Sequence, residues 1–217
     1  MTIKPRHYFL LYIVAAIVLP MIPYLHWPLS WLETYFHEIS HGIAALLSGG
    51  AIDRLELSFN GSGKCYTRGG YAPLIAFAGY TGAVLWGAII FYGARLSGKN
   101  SRWLSLLVLL LIVFCALLWA RDLITIVIMA VITVMLYVSF RYVIGQWFPR
   151  FMEFAGVYLM ISATRAPTFL LDNKSIGDGA NLATMTQLPE FFWITVWLLI
   201  AVVSLLLVWR LQQRHDY

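Results

Sequence analysis

The stretch LETYFHEISHGIAALL, residues 32–47, decides how the rest of the chain is read. It carries His37 and His41 in an H-E-x-x-H motif, with Glu38 beside the first histidine. Residues four apart share one face of a helix, so both imidazoles can reach a single metal ion. A carboxylate next to the first ligand is placed to take a proton from an attacking water. Leu32, Tyr35, Phe36, Ile39, Ile43, Leu46 and Leu47 surround the motif with side chains apolar enough for a bilayer. The stretch therefore reads as a metal-dependent hydrolytic site on a membrane helix.

Its setting strengthens that reading. Glu33, His37, Glu38 and His41 all fall in this one apolar segment. Each ionisable group at bilayer depth costs about 2.5–3.5 kcal/mol unless it is paired or ligated. Hydrogen bonds to neighbouring helices would account for one such residue, but they account poorly for an ordered set of four.

The composition agrees. Of 217 residues, 61% are hydrophobic and only 12% charged, with a mean hydropathy of +0.78. A soluble domain carries about twice that charged fraction, so the chain reads as an integral membrane protein. Apolar runs fill nearly the whole length and leave no room for a separate soluble domain. The net charge of +5 is spread over connections and ends, and no basic cluster with interleaved aromatics points to nucleic acid. Cys65 lies in a polar stretch and Cys115 in the middle of an apolar run, an arrangement that fits neither a disulfide nor a zinc pair.

Working outward, residues 8–26 read as a first span, broken late by Pro20 and Pro23, with Trp27 and Trp31 as an interfacial belt. The run follows Lys4 and Arg6 but lacks a small-residue cleavage site, so it is kept as a span and not a signal peptide. The motif helix runs over 29–48 and stops at Gly49-Gly50. Residues 51–69 change period. Ile52, Leu55, Leu57 and Phe59 partly alternate, and residues 60–63 (NGSG) form a turn before Lys64-Cys65-Tyr66-Thr67-Arg68, which predicts a β-hairpin. An extended substrate could pair with the edge of such a hairpin.

The run at 71–95 is rich in small residues, among them Ala76, Gly79, Gly82, Ala83 and Gly87, which allow close packing against the motif helix. Runs at 103–120 and 123–140 are separated only by Arg121-Asp122, which demands a tight junction or one broken helix. A further run at 150–171 carries Glu153 and Arg165, residues 172–189 are polar, and 190–209 form the last span. The prediction is an all-α polytopic membrane protein, a single domain over residues 1–217 with about six to seven membrane segments and a short β-hairpin after the metal-motif helix.

Catalytic zinc takes three protein ligands and keeps a fourth position open, so a carboxylate is sought elsewhere. The candidates are Asp122, Glu153, Asp172 and Asp178. Asp122 follows Arg121 at a helix junction, Glu153 lies near Arg150, and Asp172 sits in a turn-like Leu-Asp-Asn. Asp178 stands between Gly177 and Gly179, where the backbone can bend to bring a short carboxylate to another helix. An aspartate at a helix start is equally an N-cap. Spacing alone separates Asp178 from Asp172 only slightly.

The H-E-x-x-H of residues 37–41 in a membrane helix, the hairpin-like stretch after it and the late Asp178-Gly179 together resemble the site-2 proteases. These are intramembrane zinc metalloproteases that cut membrane-bound substrates. The resemblance implies that Zn2+ is held by His37, His41 and Asp178, with Glu38 as general base. It is similar to the compact branch of that family without a PDZ domain. The residues before Asp178 depart from the family's common Leu-Asp-Gly and Asn-Pro-Asp-Gly forms. The resemblance implies a membrane-protein substrate, a multi-pass location in a bacterial cell (inner) membrane and a regulatory membrane partner of unknown identity. Glu33 and Asn181 are expected to line a water path to the metal. Asn181 and Arg165 are further functional candidates, Asn181 for the oxyanion. The competing reading is a membrane protein that binds metal without hydrolysis, or an inactive protease-like scaffold.

Overall fold

The computed structural model describes residues 5–22, 24–95, 99–142, 147–165 and 177–214. Helix α1 (Pro5–Val18) runs into a short 3-10 turn (Leu19–Met21), and α2 (Trp27–Leu47) carries the motif. Strands β1 (Ala51–Leu57) and β2 (Gly63–Arg68) follow, then α3 (Ala72–Arg95), α4 (Lys99–Trp119), α5 (Leu123–Tyr142), α6 (Trp147–Arg165), α7 (Asp178–Thr186) and α8 (Glu190–Arg214).

Helix α2 starts with Pro28 in its first turn, where the missing N–H costs nothing. It ends in a Schellman motif. Gly49 takes φ +85°, and the Gly50 N–H reaches back to the Ala45 carbonyl at 2.8 Å. That sharp stop throws the chain directly into β1.

The hairpin is antiparallel, with Leu55 opposite Cys65 and Leu57 opposite Gly63, and it is irregular between Ile52 and Arg54. It is pinned twice. At its turn, the Trp31 indole N–H donates to the Phe59 carbonyl at 3.2 Å, and the Thr34 hydroxyl donates to the Gly61 carbonyl at 2.7 Å. Along β1, the Leu57 N–H donates to the Thr125 hydroxyl at 2.8 Å, and Leu55 bridges Ala120 in the parallel sense. The outer edge of β1 is thereby covered by the α4–α5 junction. On the far edge of β2 the Cys65 amide faces Glu38 of α2.

That junction is the expected tight turn, with only residues 120–122 between α4 and α5. The Asp122 carboxylate accepts the Thr125 N–H at 2.9 Å and caps α5.

Helices α2, α3 and α6 form the centre. Helices α3 and α6 pack closest at Gly87 and Gly156, where a Cβ on either would come within 2.8 Å of the other's carbonyl oxygen. The first half of α3 meets α2 through Gly79 and Gly82, the close approach that its small residues predict. Helix α6 is almost wholly inside, with Ala155 to Met160 all buried. Helices α4, α5 and α8 turn large apolar side chains outward, among them Leu107, Phe114, Leu117, Val134, Leu199 and Leu206. Continuous apolar surface of this kind suits hydrocarbon, not water. The helices over Ala72–Arg95, Leu123–Tyr142 and Glu190–Gln212 are each long and apolar enough to cross a membrane, and shorter apolar stretches cover His7–Met21 and Ser105–Trp119.

One expectation changes. The polar stretch at 172–189 contains helix α7, which begins at Asp178 itself. Gly177 precedes it at φ +116°, a conformation that favours glycine.

Candidate metal centre

Each residue of the cluster is placed by a different local device. His37 and His41 lie one turn apart on the middle of α2. Asp178 is the first residue of α7, swung towards them by the turn at Gly177. The His37 Nε2 lies 3.1 Å from the Asp178 Oδ2 and the His41 Nε2 3.2 Å from the same oxygen. The two Nε2 atoms are 3.1 Å apart. A tetrahedral zinc with N and O bonds of about 2.0–2.1 Å spaces its ligand atoms by about 3.3 Å. The triangle has that size.

The hydrogen bonding bears on whether the cluster could hold a cation. The His41 Nδ1 lies 2.6 Å from the Ile75 carbonyl oxygen. A carbonyl only accepts, so Nδ1 carries the proton and Nε2 of the neutral ring presents a lone pair. That lone pair faces another imidazole nitrogen and a carboxylate oxygen. With its proton on Nδ1 the His37 ring too would present a lone pair at Nε2, and the three atoms could then share one cation.

Space has been left for it as well. A Cβ on Gly79 would stand 2.5 Å from the His41 Nε2 and 2.6 Å from the His37 Nε2. Any other residue at 79 would push a methyl group against the converging atoms. His37, His41 and Asp178 form the group of His, Cys, Asp and Glu side chains that could hold a metal ion among the described residues. The donor set, two imidazoles and one carboxylate, fits zinc.

Glu38 is buried on α2 beside this triangle. Its carboxylate meets the backbone of β2: the Cys65 amide faces it, and a Cβ on Gly63 would touch its Oε1 at 3.1 Å. The hairpin thus holds Glu38 against the His37–His41–Asp178 cluster. The Tyr80 ring packs edge-on against His37, with centroids 4.5 Å apart and planes at 74°. A cleft of about 1030 Å³ opens onto the cluster, lined by His37, Glu38, His41, Tyr80 and Asp178, by Gly63, Lys64, Cys65 and Thr67 of β2, and by Asn181.

The remaining candidates lie elsewhere. Asp122 caps α5. Glu153 accepts the Tyr12 hydroxyl at 3.1 Å and pairs with Arg95 at 3.5 Å, tying α6 to α1 and α3. Arg165 is the last residue of α6, and Asp172 lies outside the described residues. Asn181 is exposed one turn beyond Asp178 and lines the cleft, while Glu33 is not among the lining residues. Gly79, Tyr80 and the Ile75 carbonyl were not legible as site components. The small-residue run around 76–88 was the one signal, and it spoke of packing in general.

The chain belongs to the Peptidase M50B-like family, which it matches over residues 10–208. This is the site-2 protease-like group that the motif resembles. Family and apolar helices together make it an integral membrane metalloprotease, and zinc is the metal of this family. No curated protein and no solved structure matches it.

Proposed function

We propose that this chain is an intramembrane zinc metalloprotease that hydrolyses peptide bonds of membrane-associated protein substrates. His37, His41 and Asp178 would hold the zinc and Glu38 would serve as general base. The observation that carries this reading is the convergence of three atoms of metal-ligand type on one point beside a buried glutamate. When bound, zinc supplies Lewis acidity, which eases the deprotonation of water and polarises a carbonyl.

The chain's own residues supply the rest. The Ile75 carbonyl fixes the His41 tautomer. Glu38 takes the proton of the attacking water and returns it to the leaving amine. A helical substrate must first unwind, because its carbonyls are already hydrogen-bonded and sterically covered. Strand β2 offers the unwound segment a partner: its far edge borders the cleft beside Glu38, and strand addition there would lay an extended chain across the site. The reading includes about six to seven membrane segments in a bacterial cell membrane.

The test is metal content of the full chain purified in detergent. Wild type holds about one zinc per chain, and Asp178→Ala and His41→Ala lose it. Glu38→Gln keeps zinc, while proteolysis falls by about 100-fold or more. Full zinc in Asp178→Ala would move the third ligand elsewhere. A wild type that takes up no zinc would leave a membrane scaffold without chemistry. Unchanged proteolysis in Glu38→Gln would remove the general base.

A further inference from the structure

Hydrolysis of a peptide bond puts negative charge on the former carbonyl oxygen, and a preorganised donor aimed at that oxygen is usually the largest single catalytic contribution of the protein. We propose that the Tyr80 hydroxyl is that donor. The proposal rests on the protease reading and adds to it a catalytic residue on α3.

Position comes first. Tyr80 follows Gly79, the residue whose missing side chain makes room at the ligand triangle. Its ring is clamped on two sides, edge-on to His37 at 4.5 Å and against Trp197 of α8 at 4.7 Å. Trp197 is itself fixed, being buried and donating its indole N–H to the Phe77 carbonyl at 3.2 Å. A ring held this way loses little entropy when a substrate arrives, which is the meaning of preorganisation here.

Chemistry comes second. Tyr80 lines the cleft, and its hydroxyl makes no hydrogen bond to any described residue. It lies within electrostatic reach of Asp178 and Glu38, one a ligand candidate and the other the base. A phenol titrates near 10 in water and remains a donor at neutral pH. Tyr80 is only half-buried and borders the cleft, which leaves it open to an incoming group. Here the partner is supplied by the substrate.

The rivals are less well placed. Asn181 and Lys64 both border the cleft but are exposed, and Lys64 is drawn over the Tyr66 ring at 4.7 Å. A half-buried donor such as Tyr80 is less screened by water than these exposed ones.

The experiment uses the full chain in detergent, loaded with zinc, and compares wild type, Tyr80→Phe and Asn181→Ala. The probe is a phosphinic peptide with leucines flanking the phosphinate, a stable mimic of the tetrahedral oxyanion, titrated alongside metal content. Tyr80→Phe is expected to retain full zinc and to bind the phosphinic peptide about 10- to 100-fold more weakly, the loss of one hydrogen bond to a charged group. Asn181→Ala is expected to bind it as wild type does. Wild-type affinity in Tyr80→Phe overturns the proposal, as does loss of zinc in that variant, which would make the residue a wall for His37 only. A wild type that holds zinc but ignores the phosphinic peptide overturns it together with the protease reading, whereas the first two results leave that reading standing.

Discussion

Gly79 faces His37 so closely that a methyl group at position 79 would stand 2.6 Å from the His37 Nε2. In an ordinary helix Gly→Ala gains about 0.8–1.0 kcal/mol of propensity. Here the same methyl group would crowd the His37 and His41 Nε2 atoms, where the proposed metal would sit. Gly79→Ala is expected to keep its helix content by circular dichroism and to lose at least tenfold in zinc affinity, measured by competition with a chromophoric chelator. Unchanged affinity would show that the triangle binds its metal away from α3.

Glu153, a third-ligand candidate from the sequence, lies instead between Tyr12 and Arg95. Both partners of the pair are mostly buried, with side chains 18% and 13% exposed. Removing the charge of one leaves the other desolvated. Glu153→Gln is therefore expected to cost about 1.5–3 kcal/mol and to lower the thermal midpoint in detergent without changing zinc content. Arg95→Met combined with Glu153→Gln should recover part of the loss, because no orphan charge remains. Zinc lost in Glu153→Gln would reopen its assignment as a ligand.

The far edge of β2 gives a backbone test. The Cys65 amide faces Glu38, away from β1, and alternation along a strand turns the Thr67 amide the same way. Thr67→Pro deletes that donor and spares the ladder to β1. It is expected to raise KM for a peptide substrate about tenfold, the loss of one hydrogen bond, with zinc content unchanged. Thr67→Ala, which keeps the N–H, serves as control. Equal KM in both variants would mean that substrates do not add to this edge.

Asp122 predicts a pH effect. Burial pushes its carboxyl up, but the N–H donors of the α5 first turn outweigh this and hold it below the usual carboxylate range. A folded value below the unfolded one means stability that is present above about pH 4 and lost as pH falls through the lowered folded value. Asp122→Ala is expected to cost about 1 kcal/mol at neutral pH and to flatten the acid limb of the unfolding midpoint plotted against pH. A variant with the wild-type acid limb would assign that limb to other carboxylates.

How far the sequence carries can be judged element by element. The motif helix, the hairpin and the small-residue helix appear within a few residues of where their signals place them. Each signal is local: a four-residue histidine spacing, a turn between alternating runs, and glycines at helical period. Helix α7 had no such signal. Its buried residues are Gly179 and Leu182, too few to mark a stripe in a polar stretch. The choice among four carboxylates was likewise beyond local pattern, since only the tertiary fold brings Asp178 to His37. Tyr80 was one aromatic residue in an apolar run, and nothing along the chain distinguishes it from a packing residue.

The cluster joins side chains that stand 141 positions apart in the chain. Synthesis proceeds from the amino terminus, and early segments settle before late ones exist. His37, Glu38 and His41 are therefore made long before α7 emerges. Through that interval the growing chain carries Glu38 and the two imidazoles but not Asp178. On the reading proposed above, the metal site is completed only once α7 has been made, so hydrolytic power would arrive late, after the helices that precede α7 have been synthesised.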